Sequence, residues 1–150
     1  MSHSQIDMLT GLARDARDQA GKLLAEERQT QQQTEAQLES LTRYRAEYAE
    51  RLQLAMRDGI DPATMYNYQQ FLASLDAALS RARQALAAQQ KRVQQSQQHW
   101  QQEQRKLSSY DTLASRRLLE EHRRQERHEQ KASDDFVTGR LARQLTDKPH

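Results

Sequence analysis

The run Asp58-Gly59-Ile60-Asp61-Pro62 is the one strong break in a chain almost free of residues that stop a helix. Only four glycines and two prolines occur in 150 residues, far fewer turn residues than a globular domain needs. Gly59 can take the left-handed conformation that closes a helix at its C-terminal side. Asp61 can cap the next helix, with Pro62 at its first position, where a missing N–H costs nothing. The sequence therefore predicts an all-α chain treated as one coiled-coil domain. Helix one covers about 4–58, the turn 58–61, and helix two about 62–132. A break is expected at Ala132-Ser133-Asp134, followed by a partly disordered tail over 133–150.

Composition fits two long helices better than a packed globule. Hydrophobic residues make up 35% and charged residues 29%, which can bury a seam but not a thick core. There is no cysteine, hence no disulfide framework or thiol nucleophile. The N-terminus lacks a continuous apolar stretch of the kind a secretory signal carries. No apolar run approaches the roughly 20 residues that span a bilayer. Twenty-three basic and 21 acidic residues are interleaved, for a net charge of +2, so the surface is mixed rather than a polyanion-binding patch.

Periodicity sets the seam. From Met65 through Tyr68, Leu72, Leu75 and Leu79 to Tyr110 and Ala114, helix two steps alternately by three and four. Gln89, Ser96 and Glu103 interrupt that heptad seam with polar groups. Helix one offers Leu38, Leu41, Arg45, Tyr48, Leu52 and Ala55 near the turn. Nearer the N-terminus it offers Ile6, Leu9, Ala13, Ala16, Ala20, Leu23, Glu27, Thr30 and Thr34. The steps Thr30, Thr34, Leu38 contain a repeated four, a stutter that locally unwinds a left-handed supercoil.

A short loop makes the helices antiparallel neighbours. Pairing positions that sum to about 119 puts Leu52 near Tyr68, Leu41 near Leu79, Ala20 near Trp100 and Leu9 near Tyr110. The arm would be roughly 80 Å long at 1.5 Å per residue. Helix two would overhang from Arg116 onward. Large side chains near the turn predict a firm closed end. Alanines with Gly11 and Gly21 inside helix one predict a loose open end, since each glycine costs about 1 kcal/mol relative to Ala.

Motifs of chemistry are missing. No Gly-rich phosphate loop, nucleophile elbow or convergent carboxylate pair occurs, so no enzyme is expected. His122 and His128 lie six apart and do not share a helix face, so no metal site is expected. The glutamine runs read as solvated helix, Gln being a good helix former. From 116 to 150 there are nine basic and seven acidic residues. Acids that dense beside phosphate contacts argue against a nucleic-acid-binding helix.

Two stripes flank the seam near the turn: Gln37, Leu41, Tyr44 and Tyr48 on helix one, and Phe71, Leu75, Ala78 and Ala82 on helix two. On spacing alone they read either as the edge of a wide seam or as an apolar, aromatic patch for a protein partner. A coiled coil that self-associates through Phe71 and Tyr44 is the alternative architecture.

The run Tyr44-x3-Tyr48-x3-Leu52, then Gly59-Ile60, Asn67-Tyr68-Gln69-Gln70-Phe71-Leu72-x2-Leu75 and Trp100, resembles the FliJ family of the bacterial flagellar export apparatus. The resemblance covers nearly the whole chain and is most specific over residues 37–110. It implies a non-enzymatic stalk without cofactor. Such a stalk would enter the hexameric flagellar export ATPase, promote its assembly and activity, contact the cytoplasmic domain of the export-gate protein and escort export chaperones. It further implies a monomer when isolated, cytoplasmic and peripheral at the cytoplasmic face of the inner membrane. By the same resemblance, gate contact falls on Gln37, Leu41, Tyr44, Tyr48, Phe71, Leu75 and Ala78. Ala82 occupies a stripe position where some members of the family carry a larger polar residue. ATPase-ring contact falls on the open end, at Leu107, Tyr110, Arg116, Arg117, Arg123 and Arg124.

Overall fold

The computed structural model describes residues 2–146. Helix α1 runs His3–Asp58 and helix α2 runs Pro62–Thr146. No strand occurs among the described residues. The break expected at Ala132-Ser133-Asp134 is absent, since α2 continues through it to Thr146. Ser133 is a good capping residue, but no proline or left-handed glycine follows to force the chain out of helix. The last four residues of the expected tail, 147–150, lie outside the described residues.

Local chemistry accounts for each helix boundary. Ser2 and Gln5 form a reciprocal cap on α1. The Gln5 N–H donates to Ser2 Oγ at 3.2 Å, and the Ser2 N–H donates to Gln5 Oε1 at 3.0 Å, which satisfies two orphan donors at once. Gly59 takes φ +86°, a conformation that other residues rarely adopt. Asp61 then accepts from the Thr64 N–H at 3.4 Å and from the Thr64 hydroxyl. That is the N-cap geometry, with Pro62 at the first helical position.

Where the sequence reading takes the chain as one domain, the packing forms two compact units. One joins the residues up to Asp15 with those from Gln104 onward, and the other is Ala16–Glu103. A two-helix seam has no shared central core to unify its layers. In both units the helices are antiparallel partners. Within Ala16–Glu103, Tyr48 meets Phe71, Arg45 meets Asp76, and Gly21 meets Trp100. The first pair lies on the expected register and the other two lie within two residues of it. Within the other unit, Ile6 shares a groove with Leu113 and Arg117.

Every seam position expected on α2 from Met65 to Ala114 is buried or half-buried. On α1 the seam differs at two positions. Leu24 is buried at 7% exposure while Leu23 is 44% exposed, and Gln31 is half-buried while Thr30 is exposed. The repeated four therefore falls at Ala16, Ala20 and Leu24, not at Thr30, Thr34 and Leu38. Its neighbourhood supplies a reason. The Trp100 indole lies over Gly21, where an added Cβ would come within 3.3 Å of Nε1. Leu24, Ala25 and Arg28 frame the same indole. A large ring against a glycine shifts the layer, and the next apolar knob moves on by one residue.

The expected contrast between a firm closed end and a loose open end also needs correction. The buried apolar residues of α1 are Ile6, Ala13, Ala20 and Leu24, all in its N-terminal half, and Leu107 of α2 is 3% exposed. Small side chains let the backbones approach and so leave little surface uncovered. Midway along Ala16–Glu103 the buried residues are polar, Thr34 and Ser96, and nearest the turn the seam positions Tyr48, Leu52, Tyr68 and Leu72 are only half-buried.

Candidate partner-binding surfaces

The closed-end stripes meet on one flank of the hairpin. The Tyr48 and Phe71 rings are 4.3 Å apart between centroids, and Tyr44 stands edge-on to Phe71 at 5.9 Å. Tyr48 also touches Tyr44 at 6.0 Å and Tyr68 at 5.3 Å. Arg51 lies over the Tyr48 ring at 5.9 Å, within cation–π range. Four rings from two helices thus form one cluster.

The residues of this flank divide by exposure. Leu75 is buried at 7%. Leu41, Tyr48, Phe71 and Ala78 are half-buried, and Ala82 is half-buried in the seam. Tyr44, at 44%, and Gln37 are exposed. Ala36, Gln37, Ser40, Leu41 and Tyr44 line a shallow groove of about 550 Å³ along α1. A partner would therefore meet Tyr44, Gln37 and the groove beside them, while Leu75 supports the surface from beneath. Ala36 and Ser40 were missed by the sequence reading. Their signal was present, since small residues one and two turns before Tyr44 on its own stripe leave room for a groove.

Arg45 and Asp76 clamp this flank. Arg45 Nε donates to Asp76 Oδ1 at 2.9 Å and its terminal nitrogen to Oδ2 at 3.3 Å. The Arg45 hydrogen bond holds the Asp76 carboxyl below the ordinary carboxylate range, and Asp76 raises Arg45 in return. The Thr64 hydroxyl does the same for Asp61. A carboxylate with a lowered folded pKa stabilises the fold above its unfolded pKa, near 3.9. That contribution is lost as pH falls through the folded value. The melting temperature should therefore drop on acidification below about pH 4. A double Asp61→Asn, Asp76→Asn protein should lose less over the same range by circular dichroism. An equal loss would show that these two carboxylates do not carry the acid sensitivity.

The open end presents a different chemistry. Leu107 is buried at 3%, Tyr110 and Arg117 are half-buried, and Arg116, Arg123 and Arg124 are exposed. Ile6, Leu113, Arg116, Arg117, Glu120, Glu121 and Arg124 line a groove of about 520 Å³. None of Arg116, Arg117, Arg123 and Arg124 forms an ion pair among the described residues, although Glu120 and Glu121 lie one turn away. Every described residue of α2 from Leu118 onward is exposed. This stretch carries large apolar groups in the open, among them Phe136 at 69% and Leu145 at 71%. No helix among the described residues is long and apolar enough to cross a membrane.

Comparison with known proteins identifies the family. Residues 2–146 match the model of the flagellar FliJ protein. Flagellar FliJ proteins of Salmonella typhi and of Escherichia coli strain K12 are each 32% identical over 135 residues. The alignments cover 90% of this chain and 92% of each relative. A solved Chlamydia trachomatis protein, described as a candidate YscO homologue, superposes with a TM-score of 0.70 at 14% identity. It covers 99% of this chain and 94% of its own, and so shares the fold. A family match spanning both helices, together with relatives aligned over nine-tenths of the chain, leads to one conclusion: the chain belongs to the flagellar FliJ protein family.

Proposed function

We propose that this chain is a non-enzymatic stalk of the flagellar type III export apparatus, acting at the cytoplasmic face of the inner membrane. Its open end enters the hexameric export ATPase ring and promotes ring assembly and ATP hydrolysis. Its closed end meets the cytoplasmic domain of the export gate through Tyr44 and Gln37, and the same chain escorts export chaperones. The observation that carries this reading, beyond family membership, is the unpaired stretch of α2. Residues 118–146 are exposed along their whole length, and Arg116, Arg117, Arg123 and Arg124 form no ion pair among the described residues. A helix this polar and this uncovered gains order from a surface that surrounds it. A single asymmetric element inside a sixfold ring meets its subunits unequally, which gives it a means of biasing their turnover.

The test is the ATP hydrolysis rate of the same organism's export ATPase, with and without this protein at equimolar ratio, read beside hexamer content. Stimulation with more hexamer is the expected result. Replacing Arg116, Arg117, Arg123 and Arg124 together by alanine should remove it while helicity is kept. No change in rate or assembly with the wild-type chain would refute the stalk role.

A further inference from the structure

We infer that the hairpin of Ala16–Glu103 contains a polar joint, the layer of Gln31 and Gln89 with Thr34 in the next layer toward the turn, at which the two helices part locally while the layers beyond stay closed. Two observations converge on this stretch. Gln89 Oε1 is buried and accepts no hydrogen bond, and a buried acceptor without a donor forfeits the hydration it had in the unfolded chain. The layers beyond the joint bury Ala20 and Leu24, level with Ser96, on one side and Leu75 and Leu79 on the other, while between them Thr34 alone is buried and Leu38, Leu86 and Val93 are half-buried.

The register sets Gln31 opposite Gln89. Gln31 turns its amide outward, donating to Glu35 Oε1 at 3.0 Å, and so does not supply the donor that Gln89 lacks. When the helices separate here, Gln89 recovers water, and the apolar side chains uncovered, Leu86 and Val93, are already half-exposed. Opening at Leu41 and Leu79 gains no hydration and exposes two leucines. The joint is thus the least costly place in this unit for the pair to open. Its consequence is a hairpin whose two halves can twist independently without melting.

Amide hydrogen exchange on the full chain, resolved by segment, tests this. In the wild type, 27–34 and 86–96 should exchange roughly tenfold faster than 41–48 and 72–79, the factor set by one unsatisfied buried acceptor. Gln89→Leu should slow the joint by about the same factor, as should Gln89→Met, which keeps the side chain's length without its amide. Exchange at 41–48 should be unchanged in both. Slowing in either variant, with the protein unchanged in mass by light scattering, supports the joint. Wild-type exchange at the joint no faster than at its flanks overturns it, as does failure of both variants to slow it.

Discussion

Leu107→Asp is expected to lower the melting temperature by about 10 °C or more. Leu107 is 3% exposed and lies opposite Ala13, itself 7% exposed, so a carboxylate placed there has neither water nor a partner. An uncompensated buried charge costs about 3–5 kcal/mol, out of a total stability of about 5–15 kcal/mol. At this chain length each kcal/mol shifts the midpoint by roughly 2–4 °C. Leu107→Met conserves volume and should cost less than about 1.5 kcal/mol. Thermal melts by circular dichroism decide it. Equal midpoints for the Asp variant and the wild type would mean that this seam does not carry stability. Leu107 also stands among the residues assigned by resemblance to the ATPase ring, so any loss of stimulation in its Asp variant would reflect unfolding. The exposed Arg123 and Arg124 are the cleaner probes of contact.

Phe71→Ala and Tyr44→Ala should separate stability from recognition. Phe71 is half-buried against Tyr48, and its removal should cost about 2–3 kcal/mol: part of the loss of a fully buried ring, together with the ring pairing. Tyr44 is 44% exposed, so its truncation should cost about 1 kcal/mol or less. For binding to the gate's cytoplasmic domain the order should reverse once folding is accounted for, because Tyr44 and the groove beside it face outward. Calorimetric titration below both melting transitions reads this. A Tyr44→Ala protein that binds like the wild type would remove the closed-end flank from the gate contact.

Much of the architecture was legible because α2 repeats its heptads without a slip. Met65 to Ala114 could be read directly, and the antiparallel register followed from a single turn. The α1 seam was less legible because two leucines, Leu23 and Leu24, offer the stutter two places to fall. Spacing cannot choose between them. The choice is made by Trp100 seated over Gly21, a contact between residues 79 positions apart. Burial at the open end was underestimated for a similar reason. Alanine contributes little area alone, yet Ala13 and Ala20 are almost wholly covered, because small side chains let the helices close. Arg45 was legible as a seam position, but its clamp on Asp76 required knowing the register. For the candidate surfaces, the sequence located the stripes but could not tell Tyr44, which faces outward, from Leu75, which does not.

The register around Gly59 also orders events in time. Paired residues lie further apart in the chain the further they sit from the turn: Tyr48 and Phe71 are 23 positions apart, while Gly21 and Trp100 are 79. Closing the first loop fixes the register, and each later layer then adds only a short closure, whose cost grows slowly with length. On a ribosome the aromatic cluster can form as soon as Phe71 emerges. Ile6 must wait until the chain has been made past Leu113. The N-terminal part of α1 is therefore the last of that helix to find its partner, and until then its exposed Met8 and Leu12 stand beside an uncovered Ile6.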